Sequence, residues 1–408
     1  MPLKKAKSVM AGRLEEFKEL GILKGEPVVT GLKKPTRKQG VRILVDGYGE
    51  REFIRMNSNS YLNMGLRQDL IEAEEETARE LGTGPGAGRS MSGTYRVHRV
   101  LEERLAAFHG KEACMIYSSA YAAVMGTLAA VVTKDSIVIS DELNHNCIIN
   151  GIRLSQPKGK KVYKHNDMDQ LHSRIKESVG ECRRLIIISD GVFSMRGDYA
   201  PLREIADMAE TYDEDFEEGV LTIVDDSHGV GTLGETGRGA VEVTGENRID
   251  MLIATLGKAL GVNGGYLVSD AVVVELFKET APFYVYSNPI TPSEANAAIR
   301  ALDVLESEEG RRMLKSLREM ADYFRKGLTD LGYEVIEGIH PIVPLMVRDT
   351  NKTRALVTHL KENGVFSAGV YYPIVPRGDE LIRLQVNADH TKEDLDYVLS
   401  AIKKFPGE

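Results

Sequence analysis

Four residues of types that perform Schiff-base chemistry lie in the central part of the chain. Lys258, Asp225, His228 and His145 each follow, within a few positions, a short apolar run rich in β-branched residues. A lysine amine can join a carbonyl group as a Schiff base, and an acidic side chain can keep a pyridine nitrogen protonated. An imidazole can stack on such a ring, and hydroxyl and backbone N–H groups at a helix N-terminus can hold a phosphate. These residue types therefore indicate lysine chemistry on a phosphate-bearing aromatic ring.

The apolar runs that precede these residues predict the strands of one sheet. They alternate with helical stretches, which is typical of a mostly parallel α/β sheet flanked by helices. The seven runs are Cys114–Tyr117, Ser136–Ile139, Lys161–Tyr163, Leu185–Ile188, Leu221–Val224, Met251–Ala254 and Tyr266–Val268. Ligands of open α/β sheets bind beyond the carboxyl ends of the strands. Five of these ends carry Ser, His, Ser, Asp/His and Thr/Lys groups, so we predict that they converge on one edge of the sheet.

The rest of the chain predicts additional regions. Its 408 residues are too many for one compact domain and suggest two or three. Met10, Leu14, Phe17 and Leu20 recur at helical spacing, which predicts an amphipathic helix packed on the body or on a partner subunit. A hairpin is expected around Asp46-Gly47. We predict an N-terminal helix and hairpin segment at 1–57, a large cofactor-binding domain at 58–290 and a smaller α+β domain at 291–408.

Composition and charge argue against several classes of protein. The formal net charge is −9 and no long basic run occurs, so nucleic-acid binding is not expected. No run of about 18 apolar residues occurs, and the N-terminus lacks the apolar core of a secretory signal, so neither membrane insertion nor export is expected. The cysteines Cys114, Cys147 and Cys182 lack short paired spacing, which disfavours a zinc site or disulfide framework. A cytoplasmic location and no bound metal are therefore expected.

Two glycine-containing segments resemble nucleotide motifs only superficially. Gly82–Gly88 follows a helical stretch instead of a strand, so the context of a dinucleotide fingerprint is missing. Lys258 is followed by Ala259, whereas the lysine of a P-loop is followed by Ser or Thr. Neither segment predicts a nucleotide site.

The segments around the candidate lysine and aspartate resemble the α-oxoamine synthases, which are fold-type I pyridoxal 5′-phosphate enzymes. The similar motifs are Asp225–Gly231 (DDSHGVG), Thr255–Gly261 (TLGKALG), Asp141–His145 (DELNH), Asp190–Met195 (DGVFSM), Gly93-Thr94, His98 and Leu101-Glu102. The resemblance extends from Asn57 to Thr391. Within the family, similarity to glycine C-acetyltransferase, also called 2-amino-3-ketobutyrate CoA ligase, is carried by Tyr372–Gly378 (YPIVPRG), Ile382-Arg383, His390-Thr391 and Tyr286–Asn288. It implies a homodimer with the active site at the subunit interface and a large domain built on a mostly parallel seven-stranded sheet.

The resemblance also implies roles for the candidate residues. Lys258 would carry pyridoxal phosphate as a Schiff base and later act as general base. Asp225 would pair with the pyridine nitrogen, His228 would hydrogen-bond the phenolic oxygen, and His145 would stack on the ring. Taken singly, Lys258 could be a surface lysine, Asp225 a capping or ion-pair residue and His145 an ordinary structural histidine. Asp226, beside them, is expected to have a supporting structural role, since an Asp-x-x-His metal site would lack a third ligand.

The remaining candidates would hold the cofactor phosphate and the substrate carboxylate. Ser194 would lie near the ring or the phenolic oxygen. The phosphate would be bound by Thr255, the backbone of Ala120 and Tyr121, and Ser287 of the partner subunit, although Ser287 could equally be a plain turn serine. Arg383 would clamp the substrate carboxylate as a bidentate fork, assisted by Asn59; a surface ion pair is the alternative for Arg383.

The implied reaction joins an amino acid to an acyl-CoA. Glycine would lose a Cα proton to Lys258 and attack acetyl-CoA, giving 2-amino-3-ketobutyrate and CoA. An 8-amino-7-oxononanoate synthase-like reaction of alanine, or a sphingoid-base synthase-like reaction of serine, would use a longer acyl-CoA. A non-catalytic subunit with the same fold is a further alternative. Departures from the family pattern at Val124, Asn63 and Arg196 leave open the acyl-chain length, the amino acid and whether carbon dioxide is lost.

Overall fold

The computed structural model describes residues 3–19, 23, 28–36, 38–372 and 374–406. Leu20 and Pro373, which belong to predicted segments, lie outside the described residues. The helices are α1 (Leu3–Glu19), α2 (Gln68–Leu81), α3 (Arg96–His109), α4 (Ala120–Val131), α5 (Asn146–Ser155), α6 (Met168–Lys176), α7 (Leu202–Tyr212), α8 (Ala240–Thr244), α9 (Ala271–Thr280), α10 (Pro282–Val285), α11 (Pro292–Glu306), α12 (Glu308–Asp330), α13 (Thr350–Glu362) and α14 (Lys392–Lys403), with short 3₁₀ helices at Met64–Leu66 and Asp213–Asp215.

The strands are short, and most match apolar runs of the sequence. They are β1 (Val29–Lys33), β2 (Arg42–Val45), β3 (Glu52–Arg55), β4 (Ala113–Tyr117), β5 (Ser136–Asp141), β6 (Gly159–Tyr163), β7 (Arg184–Asp190), β8 (Val220–Asp225), β9 (Met251–Thr255), β10 (Gly265–Ser269), β11 (Glu334–Val335), β12 (Ile342–Met346), β13 (Val365–Phe366), β14 (Ala368–Val370) and β15 (Leu381–Gln385).

The chain divides into two compact units. The larger contains Ser58–Pro344 and Leu384–His390, and the smaller contains Met1–Asn57, Leu345–Arg383 and Thr391–Glu408. The predicted domain boundary at 290/291 does not coincide with this division. The reason is that α11 buries Ala295, Ala298 and Leu302 and packs against α2 and α3 inside the larger unit. The predicted boundary therefore marks a change from strands to long helices within one unit.

A seven-stranded sheet forms the centre of the larger unit, in the order β4-β10-β9-β8-β7-β5-β6. The pairings β9/β8, β8/β7, β7/β5 and β5/β6 are parallel, whereas β10 runs antiparallel to both β4 and β9. All seven predicted runs lie in these strands, so the predicted fold class is confirmed. Ile186 pairs with Val138 on one side and with Leu221 on the other, which explains the continuous apolar run of β7.

One apolar core of this unit packs α4, α5 and α9 against the sheet. Leu128, Ile148, Ile186 and Phe277 belong to it, and each is at most 2% exposed. Burial of one such side chain contributes about 1.5–3 kcal/mol. This core holds the strands in register and so fixes the positions of their carboxyl ends.

Side-chain caps determine where several helices of the larger unit begin. Ser119 accepts a hydrogen bond from the backbone at the start of α4, Asp167 does so for α6 and Ser307 for α12. Thr291 forms a capping box with Glu294 at the start of α11. Each cap contributes about 0.5–2 kcal/mol.

The smaller unit contains the sheet β1-β2-β3-β13 and the antiparallel pair β14/β15. The antiparallel pairing of β2 with β3 confirms the hairpin predicted around Asp46-Gly47. Helix α1 buries no residue, and Met10 and Leu14 are 61% and 58% exposed, so the predicted packing on the body is not observed. Packing on a partner subunit stays a prediction. Among the described residues, no helix has both the length and the apolar character needed to span a membrane.

Candidate functional site

One cavity of about 230 Å³ lies where the carboxyl ends of the central strands meet. Its lining includes eight predicted site residues: Ala120, Tyr121, His145, Ser194, Asp225, His228, Thr255 and Lys258. They lie at or shortly after the ends of β4, β5, β7, β8 and β9. The sheet therefore brings these eight residues together on one edge, while their individual roles remain predictions.

Lys258 lies in the turn between the antiparallel neighbours β9 and β10. The hydroxyl of Thr255 closes this turn, because it accepts the N–H of Gly257 at 3.0 Å and donates to the carbonyl of Gly264 at 3.1 Å. Lys258 is half-buried and borders the cavity. The hydroxyl predicted to bind phosphate thus also holds the turn that presents the lysine.

Asp225, the last residue of β8, contacts a donor through each carboxylate oxygen. Its Oδ1 accepts the N–H of Ser227 at 3.1 Å, and its Oδ2 lies 3.6 Å from the Sγ of Cys147. Burial, together with the charges of Asp225 and Asp190, raises the pKa of the Cys147 thiol, so the thiol stays protonated and can donate. In the sequence, Cys147 stands out only as a cysteine without short paired spacing. Its position two residues after His145 was the available signal.

Asn144 joins the ends of β5 and β7. Its Nδ2 donates to the hydroxyl of Ser140 and to the carbonyl of Ile188, both at 2.9 Å. Its Oδ1 accepts the N–H of Asp190 at 2.8 Å. Asp190 Oδ2 in turn accepts the backbone N–H of His145 at 2.9 Å. The backbone that carries the candidate stacking histidine is therefore fixed from the neighbouring strand.

His145 caps the first turn of α5 while its ring borders the cavity. Its Nδ1 accepts the N–H of Cys147 at 3.3 Å and lies 2.9 Å from the Sγ of the same residue, so the proton of a neutral ring is on Nε2. Partial burial lowers the pKa of His145, and the nearby Lys258 acts in the same direction while Asp225 opposes it. Burial and the charge of Asp225 raise the pKa of Asp190. A neutral imidazole therefore borders the cavity.

His228 is held through both its ring and its carbonyl oxygen. Its Nδ1 lies 2.8 Å from the hydroxyl of Tyr61. The Nδ1 of His340 accepts the N–H of Ile342, so its Nε2 carries the proton and donates to the His228 carbonyl at 2.8 Å. Thr232 donates to the same carbonyl at 2.6 Å. Sequence reasoning missed Tyr61 and His340, which lie 167 and 112 positions away along the chain and carry no motif of their own.

The N-terminus of α4 forms another wall of the cavity. Ser119 Oγ accepts the N–H of Ala122 at 3.1 Å, while helix geometry leaves the N–H groups of Ala120 and Tyr121 without an acceptor inside the helix. Gly265 on β10 permits the helix to start this close to the sheet, because a Cβ there would lie 2.1 Å from the nitrogen of Ala120. First-turn N–H groups and the helix dipole favour an anion at this position.

Three predicted residues do not line this cavity. Ser287 lies in the larger unit outside the lining. Asn59 Oδ1 lies 3.4 Å from the hydroxyl of Tyr61 and 3.5 Å from Nε2 of Gln385. Arg383 belongs to the smaller unit, where it is 8% exposed on β15. The roles of Ser287, Asn59 and Arg383 stay predictions.

Asp226 is fully buried next to Asp225 and does not line the cavity. Its Oδ2 accepts the N–H of Ala240 at 2.7 Å, and burial raises its pKa to about 8. Glycines surround the carboxyl group: a Cβ at Gly229 would lie 2.1 Å from Oδ1, and one at Gly239 would lie 1.9 Å from Oδ2. Among the described residues, no group of three or more His, Cys, Asp or Glu side chains is arranged to hold a metal.

The donors around the cavity fit pyridoxal phosphate. The cavity offers an amine for the carbonyl carbon of the cofactor and a carboxylate for its pyridine nitrogen. It also offers two imidazoles for the ring and its phenolic oxygen, and a helix N-terminus for the phosphate. Because Gly265 has no Cβ, the start of α4 can lie close to the sheet, where its backbone N–H groups can reach a phosphate. The residues present therefore fit the cofactor.

Comparison with known proteins gives consistent matches. The model of the aminotransferase class I and II family matches residues 51–402. An 8-amino-7-oxononanoate synthase of Symbiobacterium thermophilum is 40% identical over 395 residues, which cover 96% of this chain and 97% of that protein. An enzyme of the same name from Thermosipho melanesiensis is 37% identical over 388 residues, covering 95% and 96%.

Two solved structures of serine palmitoyltransferases are also similar. The enzyme of Sphingomonas wittichii has a TM-score of 0.87 and 26% identity, covering 98% of this chain and 97% of that chain. The enzyme of S. paucimobilis with a bound PLP–myriocin aldimine has a TM-score of 0.86 and 25% identity, with the same coverage. These matches confirm the family resemblance and the dependence on pyridoxal phosphate. The chain belongs to the aminotransferase class I and II family and, within it, to the α-oxoamine synthases, pyridoxal-phosphate enzymes that join an amino acid to an acyl group.

Proposed function

We propose that the protein condenses alanine with a seven-carbon dicarboxylic acyl thioester to form 8-amino-7-oxononanoate. The observation that carries this proposal is near full-length similarity to enzymes of that name, at 36–40% identity over 95–96% of the chain. The relatives thus favour this reaction over the glycine and acetyl-CoA reaction that the sequence motifs predicted.

The name of the product defines which bonds change. An amino group on C8 beside a ketone at C7 requires that C8 and C9 come from alanine after its carboxylate has left as carbon dioxide. The other seven carbons come from the acyl group, whose thioester carbonyl becomes the ketone. One carbon–carbon bond forms, while the thioester carbon–sulfur bond and the bond to the alanine carboxylate break. Free thiol and carbon dioxide are therefore released in equal amounts.

Lys258 is proposed as the residue that moves the proton. Its amine borders the cavity, where it can remove the proton from Cα of the amino acid and return one to the product. Pyridoxal phosphate, when bound, supplies the electron sink that makes this proton acidic. Asp225 would stabilise the positive charge of the ring nitrogen, and the N–H of Ser227, which donates to Oδ1, orients its carboxylate.

The two histidines are proposed to orient the ring. His228 would donate to the phenolic oxygen, and its contacts with Tyr61 and His340 keep it in place before substrate arrives. His145 would cover one face of the ring. Its lowered pKa keeps it neutral, so it adds no positive charge beside Lys258.

Arg383 is proposed to bind the carboxylate of the amino acid substrate. Its planar guanidinium can form two parallel hydrogen bonds with a carboxylate, and the Asn59 amide can add a third. Arg383→Lys keeps the charge but loses the paired geometry, so we expect KM for alanine to rise more than kcat falls. An unchanged KM would exclude this role.

We infer a homodimer in which Ser287 reaches the phosphate site of the partner subunit. Ser287 lies outside the lining of the cavity in its own chain. The neighbouring Tyr286 is 87% exposed and Met91 is 83% exposed, and large apolar side chains left on a surface favour an interface. Light scattering should give twice the mass of one chain, and a fully active monomer would contradict the inference.

A substrate panel tests the proposed reaction. The holoenzyme is incubated with alanine, glycine or serine and with acetyl-CoA, palmitoyl-CoA or the seven-carbon dicarboxylic acyl-CoA, and thiol and carbon dioxide are both measured. We expect alanine with the dicarboxylic acyl-CoA to be the most efficient pair and to release both products in equal amounts. The proposal would be refuted if this pair released no thiol while another pair of the panel did.

Glycine with acetyl-CoA is the second candidate. It is favoured by the resemblance of Tyr372–Gly378, Ile382-Arg383 and His390-Thr391 to glycine C-acetyltransferase. The product of that reaction, 2-amino-3-ketobutyrate, keeps the carboxylate of glycine. Thiol release without carbon dioxide, and only with glycine and acetyl-CoA, would therefore identify this reaction in the same panel.

A further inference from the structure

His165 lies between two carboxylates, in a cluster that the proposed reaction does not use. It follows β6, and its Nδ1 lies 3.3 Å from Oδ1 of Asp141 while its Nε2 lies 3.0 Å from Oδ2 of Asp198. The side chain of His165 is 14% exposed and that of Asp141 is fully buried. Ionised carboxylates only accept hydrogen bonds, so both ring nitrogens must donate. This geometry requires an imidazolium.

The acids around His165 favour its charged form. Burial of the ring acts against the charge, but the hydrogen bonds and negative charges of Asp141 and Asp198 outweigh it and raise the pKa of His165 to about 9. The pKa of Asp198 is lowered: burial raises it, but His165 and Arg196 together outweigh this effect. The charged pair is therefore expected to persist at neutral pH.

Further charged groups lie beside the cluster. Arg196 donates through Nε to Oδ2 of Asp198 at 2.9 Å, so this oxygen is shared by two cations. Glu142 accepts the backbone N–H of His165 at 3.2 Å and pairs with Lys164 at 2.8 Å. The side chains of Glu142 and Lys164 therefore form a separate, more exposed pair beside the imidazolium.

Asp198 belongs to the segment that carries Ser194 to the cavity, here named the Ser194 loop (residues 191–200). The loop is closed on itself, since the N–H of Phe193 donates to the carbonyl of Asp198 at 2.9 Å. The ring of Phe193, next to Ser194, packs edge-on against the His165 imidazole with centroids 4.4 Å apart. His165 thus contacts the loop both at its carboxylate and beside its cavity-lining serine.

We propose that His165, as an imidazolium, is a positioning residue that ties the Ser194 loop to the end of β5 and thereby sets the affinity of the cavity for pyridoxal phosphate. Loss of the ring proton removes one of its two donors and leaves a carboxylate facing a nitrogen lone pair. The loop is then held less firmly. This role applies whichever amino acid and acyl group react, so a failure of the proposed substrates would leave it unaffected.

The first test measures cofactor dissociation from the holoenzyme between pH 6 and 10.5 by equilibrium dialysis and fluorescence of released pyridoxal phosphate. We expect His165→Gln to bind the cofactor about tenfold more weakly at pH 7, as for the loss of one charge-assisted hydrogen bond. Lys164→Gln, which removes the neighbouring exposed cation, should behave like the wild type. Wild-type affinity in His165→Gln at pH 7 would overturn the proposal.

The second test separates titration of His165 from a merely structural role. Other groups, including the lysine that holds the cofactor, also titrate in the alkaline range. Asp198→Asn removes one acid that stabilises the imidazolium, so the alkaline loss of cofactor affinity should move to lower pH. Weakening at every pH, without any movement of this midpoint, would overturn the proposal.

A third measurement follows the titration of the ring in the wild-type protein itself. The His165 imidazole can be titrated by NMR in the wild-type holoenzyme, with Asp198→Asn or His165→Gln used only for assignment. A midpoint near 9 supports the proposal. A midpoint near the ordinary histidine value of about 6.5 would overturn it, because the ring would then be neutral when the enzyme retains its cofactor.

Discussion

Replacement of Asn144 by alanine tests whether one buried amide organises the cavity. Asn144 is 4% exposed and joins Ser140, Ile188 and Asp190 through three hydrogen bonds of 2.8–2.9 Å. Alanine removes all three bonds while leaving the backbone unchanged. We expect a loss of stability together with a loss of cofactor affinity, because the two strand ends that Asn144 joins both contribute to the site.

The expected size follows from the groups that lose a partner. A buried donor or acceptor left without a hydrogen bond costs about 1–3 kcal/mol. The loss of stability would be largest if all three groups stayed without water. The space left by the amide can, however, admit water to the carbonyl of Ile188 and the hydroxyl of Ser140. We therefore expect a decrease of about 3–5 kcal/mol in the free energy of unfolding of the larger unit.

The effect on the cofactor passes through Asp190. Its carboxylate holds the N–H of His145, while its own N–H is held by Asn144. Loosening this link should raise the dissociation constant of pyridoxal phosphate by about three- to tenfold, which corresponds to roughly 0.7–1.4 kcal/mol. A smaller effect on binding than on stability is expected, since His145 keeps its contact with α5.

Urea unfolding followed by circular dichroism and by cofactor absorbance measures both quantities. Two signals are needed because a chain with two compact units can unfold in more than one step. Asn247→Ala is the matched control: this asparagine is exposed, and its change should stay within about 0.5 kcal/mol. If Asn144→Ala differed from wild type by less than 1 kcal/mol and kept its cofactor affinity, the structural link between β5 and β7 would be refuted.

Three further substitutions probe other parts of the site. Tyr61→Phe removes the hydroxyl 2.8 Å from Nδ1 of His228, so kcat should fall about tenfold and the spectrum of the bound cofactor should shift; unchanged values would exclude an orienting role. Gly265→Ala places a Cβ 2.1 Å from the nitrogen of Ala120, which should cost about 1–3 kcal/mol and weaken phosphate binding, as thermal melting and cofactor titration would show. The pKa of Asp226 is raised to about 8 in the folded state. Its contribution to the free energy of unfolding is therefore greatest below about pH 4, decreases as the pH rises and is lost once the pH passes about 8. Asp226→Asn should therefore gain stability relative to wild type between pH 5 and 9, and a pH-independent difference would contradict this.

The sheet and its chemical edge could be predicted because both depend on local patterns. Runs such as Leu185–Ile188 are apolar on both faces, which only a central strand of a covered sheet requires. Residues after parallel runs of this kind lie at one edge of the sheet, whatever the order of the strands. The order itself, including the antiparallel insertion of β10 between β4 and β9, was not readable from the runs.

The supports of the predicted residues could not be found in the same way. Tyr61 and His340 contact His228 across long chain separations, and neither belongs to a strand end that the apolar pattern marks. His165 does follow an apolar run, but its importance depends on Asp141 and Asp198 approaching from two other segments. Such contacts are set by packing between elements, which a single sequence does not specify.

Three aspartates near the cavity look alike in the sequence, but the structure gives them different electrostatic positions. Asp190 and Asp225 lie side by side in register on β7 and β8, and Asp226 follows directly. Burial, with an added effect of the Asp225 charge, raises the pKa of both Asp190 and Asp226, which favours their protonated forms. Asp190 and Asp225 both line the cavity, and the raised pKa of Asp190 leaves Asp225 as the lining carboxylate that can carry the negative charge. A single charged acid matches a single protonated pyridine nitrogen, whereas three charged acids would attract additional protons or cations and leave the ring less specifically held.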